Sequence, residues 1–356
     1  MKRGLAYAGL ALGLCLNLSA QAAEGQAGDW LVKAAAAARA SNYEGVLVYR
    51  GDDVLETFRV THRFADGSER ERIQSMTGEV REVLKQNDKL TCLLPRDRQL
   101  TARRAASPKG LLLSLSPERL QQISAYYEVK ELGEARIAGR KCRGIAIAPR
   151  DEFRYGYEVW ADRESAVPLK LSLVAPDGRL LEQMFFTEVS FPQSIPDAAF
   201  RAVTPEEQVR ESTETAVDAI AQAHASEPVA IDETEVVDDR EHAKFSKLPP
   251  GFRVVRRRVQ ASPAGVREHV VLSDGLSAVS VYRVLRPTNS EIQPTAQRLD
   301  RMGPLNAYSR SAGDVQVTVV GEVPRHTIKM IGDNLEAAQG QQDLGSKFAA
   351  EAIDAR

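Results

Sequence analysis

Residues 54–75 read VLETFRVTHRFA-DG-SERERIQS, and this stretch decides the fold class. Along its first limb the even positions are Val54, Glu56, Phe58, Val60, His62 and Phe64; the odd ones are Leu55, Thr57, Arg59, Thr61 and Arg63. Apart from Leu55 and Glu56 this is period-two alternation, the mark of a strand with one buried face. Asp66-Gly67 reads as a hairpin turn, since glycine tolerates positive φ. Glu69–Ser75 is then the return strand.

The same grammar extends on both sides. The alanine-rich run Trp30–Arg39 reads as a short helix that feeds the β-branched, apolar stretch Val46–Tyr49. Val80–Lys85 and Leu90–Leu94 form another strand pair around Asn87-Asp88. Ser116-Pro117-Glu118 starts a helix that reaches about Ala125, with serine as cap and proline at the first helical position. Strands resume at Tyr127–Leu132, Arg143–Ala148 and Tyr155–Ala161. Leu169, Leu171 and Leu173 alternate with polar residues before Pro176-Asp177-Gly178 turns the chain into Leu180–Val189. Repeated hairpins with single-face patterning predict a curved antiparallel sheet with helices on one side.

Composition changes after Pro205. Glu206–Glu241 holds twelve acidic residues and two arginines, and reads as a linker in which 206–225 has helical character on a thin apolar face. Strand patterning returns at Phe252–Val259, Val266–Leu272 and Leu276–Leu285, then at Val315, Val317 and Val319. Gln293–Met302 is expected to be a helix, and Pro324–Ile331 a strand or a helix start. The predicted class is therefore α+β: an N-terminal curved antiparallel sheet or half-barrel over 23–204, an acidic linker over 205–245, a smaller C-terminal α+β domain over 246–332, and a flexible tail over 333–356.

Residues 1–22 read as a secretory signal peptide: Lys2 and Arg3, an apolar stretch from Leu5, and Ala20-Gln21-Ala22 as the cleavage pattern. Cleavage would leave 334 of the 356 residues and a net charge near −4, which gives no global attraction for nucleic acid. Cys92 and Cys142 would then be the two remaining cysteines. In an oxidising compartment they can form one bridge, worth about 4 kcal/mol through loop-closure entropy, or stay as two separately buried thiols.

No catalytic constellation emerges. The five histidines, His62, His224, His242, His269 and His326, lie outside metal-ligand spacing of one another, and neither a nucleophile elbow nor a phosphate loop occurs. No residue is assigned to catalysis, a cofactor or a metal. His62, on the apolar face of its strand, reads as a core histidine before a catalytic one. Arg253, Arg256, Arg257 and Arg258 crowd one strand. They serve either to protect a sheet edge from aggregation or to dock an acidic peptide or anionic head groups. Arg96, Arg98, Arg103, Arg104 and Lys109 form a second basic stretch, read as solvated surface. Trp160, Met184 and Phe186 either line an apolar cavity or fill a core.

Several segments resemble the MucB/RseB family of periplasmic regulators of envelope-stress sigma factors. They include Asn42-Tyr43-Glu44-Gly45 with Val46–Tyr49, Asp66-Gly67 with Glu69–Ile73, and Tyr155-Gly156-Tyr157-Glu158-Val159-Trp160. Val167-Pro168-Leu169, Pro176-Asp177-Gly178, Leu248-Pro249-Pro250-Gly251-Phe252 and Ser273-Asp274-Gly275-Leu276 continue the likeness. The resemblance implies a first domain like the Lol-type lipoprotein carriers, a half-open barrel around helices with an apolar hollow. It also implies a periplasmic protein that binds the periplasmic region of a transmembrane anti-sigma factor, shields it from regulated proteolysis, and is released by lipid or lipopolysaccharide fragments. A lipid or lipoprotein carrier is the alternative, and exposed sheet edges also allow a homo-oligomer.

Overall fold

The computed structural model describes residues 25–336 except 53, 79–81, 88, 96–114, 202–208, 213–242, 263–264, 286–296 and 313–314. The signal peptide, the basic stretch Arg96–Lys109, most of the acidic linker and the tail past 336 lie outside the described residues. The chain divides into two units, Met1–Arg150 with Gly156–Val217, and Asp151–Tyr155 with Asp218–Arg356.

Among the described residues the first unit is one open, curved antiparallel sheet of eleven strands. Its strands are β1 (Tyr43–Gly51), β2 (Val54–Ala65), β3 (Ser68–Ser75), β4 (Glu82–Gln86), β5 (Lys89–Pro95), β6 (Tyr127–Ile137), β7 (Arg140–Pro149), β8 (Gly156–Asp162), β9 (Pro168–Val174), β10 (Leu180–Ser190) and β11 (Val209–Ser212). Their order is β11-β5-β4-β3-β2-β1-β10-β9-β8-β7-β6, so β1 and β10 close the gap between an N-terminal and a C-terminal meander. The β2–β3 hairpin turns on Asp66 at φ 53° and Gly67 at φ 73°. Both central residues sit in the left-handed region that matches the twist of a two-residue hairpin. Ser116 caps the short helix Pro117–Ile123 by accepting from the Arg119 N–H. Within the stretch read as a linker, Val209–Ser212 is extended, not helical, because its backbone pairs with Cys92–Pro95 on the edge of β5.

Residues 25–40 are helical and bury Ala27, Leu31, Ala34, Ala35 and Ala38. Spacings of three and four put these on one face, and their small side chains allow the helix to lie close to a sheet.

Among the described residues the second unit carries six antiparallel strands: β12 (Arg253–Ser262), β13 (Gly265–Ser273), β14 (Ala278–Leu285), β15 (Arg298–Met302), β16 (Leu305–Ala312) and β17 (Val315–Gly321). Their order is β12-β13-β14-β17-β16-β15. Gln293–Met302 does not form the expected helix over its described part. Arg298–Met302 is strand β15, paired with β16 across a turn in which Gly303 takes φ 63°. The register of that hairpin overrides the local helical tendency. The helix Arg325–Asp333 packs on β16 and β17 and buries Ile328 and Ile331 against Val270, Val281, Val317 and Val319.

Candidate functional site

Cross-strand register sorts the first sheet into two faces. Tyr49 faces Met184, which faces Leu171, Val159 and Ile145 in turn across β10, β9, β8 and β7. Leu47 faces Phe186 on β10 and Phe58 on β2. Directly opposed side chains share a face, so these residues line one apolar surface. The N-terminal helix reaches it at Trp30. Arg143, two residues before Ile145 on β7, stacks 5.4 Å from the Trp30 ring. Met184 and Phe186 are buried there, and Tyr43 meets Phe186 edge-on at 6.1 Å.

Trp160 does not join them. It faces Lys170 and Gly144, one residue out of phase with Val159, and therefore stands on the opposite face. Lys170 Nζ sits 5.7 Å from its ring. The ring lies so close to the backbone of β7 that a Cβ at Gly144 would come within 2.6 Å of it. The three apolar residues taken together from the sequence are thus split, two inside and one outside.

The inner face also carries a buried polar group that sequence patterning marked only at His62. That ring is fully buried, stacked on Tyr43 at 4.8 Å. Its Nδ1 donates to the Ser41 carbonyl at 2.7 Å, and Nε2 lies 3.0 Å from Glu69 Oε1. Lys85 Nζ donates to Glu69 Oε2 at 3.1 Å. Burial, then the charges of Glu71 and Glu69, push the Tyr43 hydroxyl well above its ordinary range. His62 is a satisfied core histidine, not a solvent-facing base. Glu69 and Lys85 carry no such mark in the sequence, because charged residues on a strand ordinarily signal the wet face.

Cys142 is a free, buried thiol, and burial followed by the Asp162 charge pushes it up to about 11. The expected Cys92–Cys142 bridge is not formed here. Cys92 is on β5 and Cys142 on β7, with seven strands between them in the sheet order. The Cys92 side chain lies outside the described residues.

In the second unit the four arginines have different jobs. Among the described residues β12 is one of the two edge strands, and its register shifts between Val254 and Arg256. Arg257 turns to the core side, where it pairs with Glu268 and donates to the Ala243 carbonyl at 3.0 Å. Glu268 is buried and also meets Arg283 Nε at 3.1 Å. Arg257 is therefore structural. Arg256 and Arg258 flank His269 on the other face, while Arg253 and Arg258 are exposed. His269 stacks on Tyr282 at 4.4 Å and sits 3.1 Å from Ser280 Oγ. Burial, then Arg256 and Arg258, hold its titration below the usual histidine range. This face presents cations, an aromatic pair and hydroxyls beside a strand edge that no described strand pairs, a combination suited to an extended acidic segment.

Both units match one family of proteins. Residues 26–204 fit the MucB/RseB N-terminal domain, and residues 238–336 fit the MucB/RseB C-terminal domain. The chain belongs to the MucB/RseB family. It is 30% identical over 312 residues to the sigma factor AlgU regulatory protein MucB of Pseudomonas aeruginosa, covering 86% of this chain and 89% of that relative. It is 29% identical over the same span to the sigma-E factor regulatory protein RseB of Escherichia coli, again 86% and 89%. Among solved structures, the complex of Pseudomonas aeruginosa MucA and MucB matches with 26% identity and a TM-score of 0.65, covering 88% of this chain and all of that one. The Arg253–Arg258 cluster falls inside the C-terminal match, Met184 and Phe186 inside the N-terminal one.

Proposed function

We propose that this chain is a periplasmic negative regulator of an envelope-stress sigma factor, a binding protein rather than an enzyme. It binds the periplasmic region of a transmembrane anti-sigma factor and shields it from regulated proteolysis. The observation that carries the reading is the family match over both units, together with the solved complex of the relatives MucA and MucB. The outer face of β12, with Arg253, Arg256 and Arg258, is the docking surface; Arg257 is not part of it. Lipid or lipopolysaccharide fragments act as the release signal through the apolar face that holds Met184 and Phe186, where each methylene buried from water contributes about 0.8 kcal/mol.

The test is capture of the purified anti-sigma periplasmic fragment by the chain freed of residues 1–22, with native mass spectrometry to read stoichiometry and any copurifying lipid. R253E/R258E should weaken capture and flatten its dependence on salt, while R253K/R258K should retain it. No complex with the unaltered chain would remove the regulatory reading. The same inner face supports a second reading, a lipid or lipoprotein carrier. Lipid transfer to acceptor vesicles without anti-sigma contact would establish that one instead.

A further inference from the structure

Two sequence motifs have no part in the function proposed above: Leu248-Pro249-Pro250-Gly251-Phe252 and Ser273-Asp274-Gly275-Leu276. Within the second unit they meet at one side chain. Arg154 is fully buried. Its Nη1 donates to Asp274 Oδ2 at 2.6 Å, and Nε and Nη2 donate to the two carboxylate oxygens of Asp151 at 2.9 and 3.0 Å. Nη2 also donates to the Pro250 carbonyl, and the guanidinium lies 5.3 Å from the Phe252 ring centre. The Asp274 side chain is likewise fully buried. Its Oδ1 accepts from the N–H groups of Leu276 and Ser277 at 2.8 and 2.7 Å, which shapes the β13–β14 turn. On either side of Arg154, the Phe153 carbonyl accepts from Thr327 Oγ1 at 2.9 Å, and the Tyr155 hydroxyl accepts from Asn306 Nδ2 at 3.1 Å.

A buried guanidinium is tolerated only where anions and carbonyls meet its donors; removing one member leaves the others as uncompensated buried charge. The planar fork also fixes direction. It engages Asp151 with two donors while a third reaches Asp274, which a single ammonium cannot reproduce. We propose that Arg154 is a latch. It builds Asp151–Tyr155 into the second unit and sets both the start of β12, through Pro250 and Phe252, and the β13–β14 turn, through Asp274. Asp151–Tyr155 lies in sequence between β7 and β8. The second unit is therefore incomplete without five residues that precede the acidic linker. The latch stands whether or not β12 docks a partner.

Hydrogen exchange on the full chain tests this. The Phe252, Leu276 and Ser277 N–H groups bond to Pro249 O, Asp274 Oδ1 and Asp274 Oδ1 respectively, so each reports the latch. In R154M their exchange should rise at least about tenfold, while amides of β8 and β9 in the first unit keep theirs. R154K retains the charge without the fork and should give a smaller rise at the same three sites. D274N should match R154M at Leu276 and Ser277. Unchanged exchange at these amides in R154M would overturn the proposal. So would an equal rise across β8 and β9, because that would make Arg154 a contributor to general stability only.

Discussion

Glu268 gives the sharpest test of how the arginines of β12 divide. Its carboxylate is buried between Arg257 and Arg283 and accepts from the Ala243 N–H at 3.1 Å. E268A removes the carboxylate that Arg257 and Arg283 share. Arg257, with about a quarter of its side chain exposed, can swing toward water, but Arg283 is only 4% exposed and cannot. Removing one partner of a buried ion pair costs about 3–5 kcal/mol, and with one of the two cations able to swing to water the lower end applies. R257A removes a single partner while Arg283 still neutralises Glu268, so its cost falls to about 1–2 kcal/mol. R258A touches an exposed side chain and should stay within about 0.5 kcal/mol. The assay is urea denaturation of the full chain, followed by far-ultraviolet circular dichroism and by tryptophan emission. Trp30 and Trp160 are the two tryptophans, and both belong to the first unit, so emission reports that unit alone. With a slope of about 1–3 kcal/mol per molar urea, E268A should move the second unit's transition by about 1–3 M and leave the emission transition in place. A shift worth under about 1 kcal/mol, or equal shifts for R257A and R258A, would refute the assignment of Arg257 to the core and Arg258 to the surface.

Two further outcomes follow from the geometry. G144A puts a Cβ 2.6 Å from the Trp160 ring, and should lower first-unit stability by about 1–3 kcal/mol with a changed emission maximum; an unmoved midpoint would mean the ring is free to shift. His269 should titrate below about 6.5 in the folded protein by NMR. Its folded pKa lies below its unfolded one, so the stability it contributes is complete above about pH 6.5 and declines as pH falls through that value. R256Q/R258Q should raise the titration only in part, since burial is the larger cause. Complete return to the ordinary value would contradict that ranking.

The meander was legible because its physics is local. Alternation in Val54–Phe64 and a turn at Asp66-Gly67 need no knowledge of distant chain, and β2 and β3 lie where that pattern puts them. Arg298–Met302 was not legible, because its state is set by pairing with Leu305–Ala312. The same limit explains the candidate residues. Trp160 and Met184 look alike as apolar residues on strands, and only the register across β8, β9 and β10 shows that they point to opposite faces. The four arginines are indistinguishable by composition; strand alternation sets Arg257 in a core ion pair apart from Arg256 and Arg258, and the register shift beside Val254 brings Arg253 onto the face of those two. Arg154 gave no signal, since two of its partners, Asp274 and Pro250, stand 120 and 96 residues away and the nearby Asp151 reads as an ordinary loop carboxylate.

Release of a partner by lipid, as proposed, places a definite energetic demand on the first unit. A ligand shifts the partner equilibrium only by its difference in affinity for the free and bound forms, so tight lipid binding alone achieves nothing. A tenfold effect requires about 1.4 kcal/mol of that difference, the burial of roughly two methylenes in one form and not the other. Met184 and Phe186 are buried on the inner face, and the helix over 25–40, which reaches that face at Trp30, buries mostly alanine. A helix that buries small side chains contributes little apolar area per turn, so under the proposed lipid release its displacement by an acyl chain would cost little. An inner face closed by leucine and phenylalanine from that helix would set the threshold several kcal/mol higher. The alanines at 27, 34, 35 and 38 are thus the feature of the first unit most consistent with a lipid-responsive face, and they make the sensing half of the proposal a statement about that helix as much as about the sheet.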